Sequence, residues 1–125
     1  MIANNPADVD RLFGELSNAG DADGLTNLYE PNATFMDRDL GPLVGHDAIR
    51  SFLAAWVDMK PRIDMGSATV VPLGDDLAVV HHDWHATVDG PDGARSRISG
   101  KATELVRRQA DGSWRFVLDD PQMRS

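Results

Sequence analysis

Residues 95–108 read Arg-Ser-Arg-Ile-Ser-Gly-Lys-Ala-Thr-Glu-Leu-Val-Arg-Arg, and after Gln109-Ala110-Asp111-Gly112-Ser113 the chain resumes with Trp114-Arg115-Phe116-Val117-Leu118. In an extended chain, alternate side chains share a face. Ile98, Gly100, Ala102, Glu104 and Val106 then fall on one side, and Arg97, Ser99, Lys101, Thr103, Leu105 and Arg107 on the other. The first set is the apolar one, so the segment is a half-buried strand with Glu104 pointing inward. The Asp-Gly punctuation after it is a hairpin signal, and Trp114–Leu118 is the returning strand.

The same reading extends upstream. Leu77–Val88 alternates too: Ala78, Val80, His82, Trp84, Ala86 and Val88 share one face, while His81, Asp83 and His85 share the other. Arg62–Leu73 reads as one more strand, closed by Gly74-Asp75-Asp76. These runs predict an antiparallel meander.

Before residue 62 the period changes. Asn5-Pro6 opens a helix with a capping side chain and a proline at the first helical position. Val9, Leu12, Phe13 and Leu16 form its apolar stripe, and Gly20 suits a left-handed C-cap. Asp21 caps a short second helix with Leu25, Leu28 and Tyr29 on one side, stopped by Pro31. Ala33–Asp37 reads as a strand, and Gly41–Gly45 as a turn with a short extended piece. A third helix starts near His46-Asp47, carries Ile49, Phe52, Leu53 and Trp56 inward, and ends at Lys60-Pro61. Residues 122–125 are expected to fray. Helices first and strands afterwards indicate an α+β fold. Its three helices pack on a curved, mostly antiparallel sheet that encloses an apolar pocket at one end.

The 125 residues fit a single domain, residues 1–125, and the longest apolar runs are too short to span a bilayer. The N-terminal residues lack the basic and apolar regions of a signal peptide, so a cytoplasmic location is expected. The chain has no cysteine, which removes disulfides, thiolate metal sites and cysteine nucleophiles. A net charge of −8 argues against nucleic acid as a partner. There is no glycine-rich nucleotide loop, no nucleophile elbow and no zinc-hydrolase helix motif, and no cofactor is expected.

Several segments resemble a known superfamily. Asn18-Ala19-Gly20-Asp21, followed by Leu28-Tyr29-Glu30-Pro31-Asn32-Ala33-Thr34-Phe35, is similar to the helix-to-strand segment of ketosteroid isomerase-like proteins. Gly45-His46-Asp47-Ala48-Ile49-Arg50 resembles their lead-in to the third helix. Gly100–Arg108, Asp111–Phe116 and Asp119-Asp120-Pro121 resemble the closing hairpin of the SnoaL-like and DUF4440-type branch. The likeness runs from about Val9 to Pro121. It implies the cone-shaped fold of nuclear transport factor 2 and its relatives (NTF2-like), a small-molecule ligand and a homodimer formed through the open sheet face.

The resemblance also implies site residues. Asp37 matches the general-base aspartate of ketosteroid isomerase, and Glu104 the carboxyl that donates a hydrogen bond while protonated. The oxyanion-binding tyrosine falls on Phe13, which has no hydroxyl. The residues allow plainer readings as well. Asp37-Arg38-Asp39 before Gly41-Pro42 is ordinary turn chemistry, and an inward Glu104 is satisfied equally by a histidine, an arginine or a buried water. SnoaL-like cyclases use a late-strand acid; the motif match selects Asp119 and the alternation selects Asp120, and the choice stays open. Phe13, Trp56, His82, Trp84 and Phe116 are expected to line the pocket, with His82 available to pair with Glu104 or Asp37. His81, Asp83 and His85 offer at most two ligands at i, i+2 spacing, because the outer two lie roughly 13 Å apart, and no metal is expected. The expected function is cofactor-free acid–base isomerisation, cyclisation or dehydration of an apolar carbonyl compound. A non-catalytic ligand binder or protein-interaction module on the same scaffold is the alternative.

Overall fold

The computed structural model describes the backbone of residues 2–124 and the side chains of residues 2–123. Helix α1 (Pro6–Ala19) is capped by the Asn5 side chain, which accepts from the Asp8 amide, and ends at Gly20 with φ 72°. Helix α2 (Ala22–Thr26) is capped by Asp21, and helix α3 (His46–Asp58) follows a short hairpin. The strands are β1 (Tyr29–Asp37), β2 (Gly41–Val44), β3 (Arg62–Asp64), β4 (Thr69–Pro72), β5 (Leu77–Asp89), β6 (Arg95–Arg108) and β7 (Trp114–Arg124).

The sheet order is β2-β1-β7-β6-β5-β3, with β4 also paired to β5. Every pairing is antiparallel except β1 with β7. The helices lie against the concave face of this curved, unclosed sheet, as an α+β fold requires. The alternation expected along β5 holds at each inward position: Ala78, Val80, His82, Trp84, Ala86 and Val88 are all buried. On β6, Ala102, Glu104 and Val106 are buried, and the strand opens toward solvent at Ile98.

Three boundaries differ from the sequence expectation, each for a local reason. Tyr29 leaves the second helix and begins β1, because its ring is wholly buried against Phe116, its register partner on β7. Pro31 therefore sits inside β1, in the stretch where the register with β7 shifts, so its missing N–H disrupts no ladder.

The expected strand 62–73 is two strands, interrupted at residues 65–68. Gly66 there has φ +67°, and a Cβ added to it would lie 2.2 Å from the Asp83 carbonyl oxygen. Only glycine lets the chain leave the β5 edge so closely and return to it.

Finally, β7 does not stop at Leu118. It continues through Pro121, and Arg124 pairs with Lys101, so residues 122–124 are part of the sheet. Ser125 lies outside the described residues. Among the described residues, no helix is long and apolar enough to cross a membrane.

Candidate active site

Between the helices and the concave sheet lies a cavity of about 340 Å³, walled largely by aromatic and aliphatic side chains. Phe13, Trp56, Trp84 and Phe116 all line it, as the sequence indicated. Phe13 and Phe116 meet edge to face, with centroids 6.3 Å apart. Trp84 is fixed by its indole N–H, which donates to the Pro121 carbonyl at 2.9 Å.

Against this apolar wall stand four ionisable side chains. Asp10, His82, Glu104 and Asp119 are 3%, 4%, 2% and 5% exposed, and each faces the cavity from a different element: α1, β5, β6 and β7. Burying so many ionisable groups is costly unless they satisfy one another, and their arrangement shows how they do.

His82 is the hub. Its Nδ1–H donates to the Met65 carbonyl at 2.8 Å. A carbonyl only accepts, so the proton must sit on Nδ1. That carbonyl is available because β3 breaks off just before Met65 and β4 resumes only at Thr69. Nε2 then faces Glu104 Oε2 at 2.6 Å and Asp10 Oδ1 at 3.4 Å. At Nε2 either the imidazolium donates to a carboxylate, or a carboxylic acid donates to the neutral ring. In both cases the cluster holds a shared proton between His82 and an acid.

Asp10 supplies a further proton. Burial first, and then the neighbouring Glu104 charge, hold its carboxyl well above the usual carboxylate range, although the nearby His82 opposes this. With Asp10 protonated, the one proton shared between His82 and Glu104 leaves the cluster neutral in either form, as an apolar site favours.

Asp119 lies directly opposite Glu104 in the β6–β7 register. The alternation broken between Phe116 and Asp119 explains why. Val106 pairs with Phe116 but Leu105 pairs with Leu118, so Val117 is the extra residue of a bulge. The bulge restores Asp119 to the inner face. Asp120 is partly buried and accepts from the Gln122 amide, and it does not line the cavity.

The Tyr29 hydroxyl donates to Asp119 Oδ2 at 2.5 Å. Burial raises the Asp119 carboxyl to about 7, against the lowering effect of that hydrogen bond. The Tyr29 phenol is itself pushed well above its usual value, by burial and by the Asp119 charge, so it stays a donor.

The sequence reading did not single out Asp10 or Tyr29. Asp10 shares the spacing i, i+3, i+4, i+7 with Phe13, Gly14 and Ser17. That second stripe on α1 was legible but was hidden behind the more apolar one.

Asp37 reaches the cavity only at its mouth and is partly exposed. Its Oδ2 accepts from the Asp39 and Leu40 amides at 3.0 and 2.8 Å, as a turn cap does. His82 pairs with Glu104 and not with Asp37. On the outer face, His81 meets Thr103 Oγ1 at 2.9 Å and His85 approaches Asp64 at 3.8 Å.

Asp10, His82 and Glu104 have the residue types of a metal site, with ligand atoms within 4.8 Å of one another. Two donors bound to one ion at normal lengths stand about 3 Å or more apart. The 2.6 Å between Nε2 and Oε2 is hydrogen-bond spacing, so the cluster is built around protons.

Solved structures of similar fold include an NTF2-like superfamily protein from Salmonella enterica (TM-score 0.79, 17% identity, 95% of this chain and 89% of that one). A ketosteroid isomerase-like protein from Erwinia carotovora atroseptica is also similar (TM-score 0.77, 17% identity, 90% and 88%). So is a candidate dehydratase of the NTF2-like family from Streptomyces avermitilis (TM-score 0.76, 18% identity, 93% and 93%). At these identities the likeness establishes the fold alone. No curated protein matches the chain at the sequence level. The family described as the SnoaL-like domain matches residues 9–117, and the chain belongs to that family.

Proposed function

We propose that this protein is a cofactor-free acid–base enzyme that isomerises, cyclises or dehydrates an apolar, carbonyl-bearing small molecule. One observation carries the reading: four buried ionisable groups converge on the wall of an apolar cavity, where burial pushes one of them, Asp119, up to about 7. A base is most effective when its pKa lies near the working pH.

Asp119 fills that role, taking a proton from the carbon next to the substrate carbonyl. Tyr29 steadies the carboxylate before the transfer. The electrons move toward the carbonyl oxygen, which needs a donor. Asp10, kept neutral by its site, offers a carboxylic O–H, and a neutral acid in an apolar pocket is a strong donor to a developing oxyanion. Burial and Glu104 hold Asp10 in that state. Asp119 gives its proton back to the product carbon, or the proton shared by His82 and Glu104 goes to a leaving hydroxyl and is replaced by the one on Asp119. The base role thus passes from Asp37 to Asp119, while Glu104 keeps its place in the acid cluster. Two similar folds bear names from this chemistry, an isomerase and a dehydratase.

The second reading is a ligand binder without turnover. It is favoured by Phe13, a cavity-lining ring without a hydroxyl at the position that the resemblance matches to the oxyanion-binding tyrosine.

The test is proton exchange in deuterated water, followed by proton NMR on a panel of apolar ketones and β-hydroxy ketones. The wild type should exchange the α-proton of at least one member above the buffer rate. Asp119→Asn should lower that rate by about 10²-fold or more, and Asp37→Asn by only a few-fold. Ligands that bind without exchange would move the protein to the binder reading.

A further inference from the structure

We propose that the ligand carries a carboxylate on the end remote from its reacting carbonyl, and that Arg38 holds this group at the cavity mouth. The inference rests on the acid–base reading for which end enters first.

Among the described residues that line the cavity, Arg38 is the one lysine or arginine, against Asp10, Asp37, Glu104 and Asp119. The inner wall, apolar and lined with acids, has no lysine or arginine to offer an anionic group, whereas the rim has Arg38. The guanidinium is also held there. Arg38 Nη2 donates to Gln122 Oε1 at 3.1 Å, and Gln122 Nε2 donates in turn to the Ser99 carbonyl at 3.1 Å. This chain of contacts ties the cation, on the turn between β1 and β2, to β7 and β6 through a neutral amide.

Arg11, Arg50, Arg95, Arg107 and Arg108 each lie within ion-pair distance of a carboxylate. Arg38, although flanked by Asp37 and Asp39, does not do so among the described residues. Asp37 is occupied with the amides of the turn. The arrangement leaves the planar fork of Arg38 open for a carboxylate, which it can bind with two parallel hydrogen bonds. The two neighbouring aspartates favour a singly charged group over a doubly charged phosphate. The substrate class is then an apolar keto acid or hydroxy-keto acid, taken in carbonyl first.

The test is calorimetric titration of β-benzoylpropionate, an aryl ketone with a carboxylate tail, and of its methyl ester, into the wild type and Arg38→Gln. The wild type should bind the acid roughly five- to twentyfold more tightly than the ester, less than a buried charge-assisted hydrogen bond gives, because Arg38 is exposed and water screens the contact. Arg38→Gln should abolish the preference and leave ester binding unchanged. Equal binding of acid and ester by the wild type would overturn the proposal while leaving the apolar-carbonyl reading in place. So would a preference that survives Arg38→Gln. Binding of neither compound would sink both.

Discussion

Tyr29→Phe removes one hydroxyl and leaves the ring, whose centroid lies 4.8 Å from that of Phe116. The lost contact is the 2.5 Å hydrogen bond to Asp119, which favours the charged carboxylate. A hydrogen bond to a charged group contributes about 1.5–3 kcal/mol, and one pKa unit corresponds to about 1.4 kcal/mol. Asp119 should therefore titrate roughly one to two units higher in the variant than its wild-type midpoint of about 7. The assay is a pH titration of carboxyl carbon shifts in protein labelled at aspartate, with Asp119→Asn identifying the resonance. Because Asp10 and His82 also act on this group, the quantity to compare is the apparent midpoint. A variant midpoint within a few tenths of the wild type, or below it, would refute the claim that Tyr29 tunes the acid.

Asp119 should also make the protein less stable as pH rises. Its folded value of about 7 lies above the ordinary 3.8, so its stabilising contribution is complete below about pH 4 and is lost by about pH 7, on the order of 4 kcal/mol. Urea unfolding at pH 5 and pH 8 should show a smaller pH difference for Asp119→Asn than for wild type, and equal differences would contradict the assignment. Glu104→Gln breaks the buried proton-sharing pair with His82 and should cost roughly 3 kcal/mol at pH 7. Asp10→Asn replaces an acid that is already neutral and should cost under about 1 kcal/mol beside it; similar losses for the two would show that the proton is misplaced. Gly100→Ala would put a Cβ 2.4 Å from the Pro121 carbonyl oxygen and 2.6 Å from Trp84 Nε1. It should cost about 1–3 kcal/mol in thermal unfolding and shift the Trp84 indole proton resonance.

What the sequence made legible follows from how each signal is carried. Strand alternation is a local period, so the inward faces of β5 and β6, with His82 and Glu104 on them, were readable from a dozen residues each. Glu104 needed a partner once it pointed inward, and His82 supplies it. The Asp119 or Asp120 choice was not readable, because it turns on the one-residue bulge at Val117, and no residue there marks it. Tyr29 meets Asp119 across 90 residues of chain, and its neighbours Leu25 and Leu28 made it look helical. The split at residues 65–68 was masked because β-branched and apolar residues flank it on both sides, although Gly66 stands at its centre. Asp37 matched by motif, yet its carboxylate went to the nearest unpaired amides, the usual fate of an aspartate before a tight turn.

The Met65 carbonyl has a consequence for how such a site can change over time. It belongs to the main chain, so no substitution at position 65 takes the oxygen away. The tautomer of His82 is thus inherited with the path of the backbone and not with any side chain. Point changes can retune the acids around the ring, but reversing the ring's polarity would take an insertion or deletion in the gap between β3 and β4. In relatives with the same pocket, the length of that gap is the character to compare first, ahead of the identity of any residue within it.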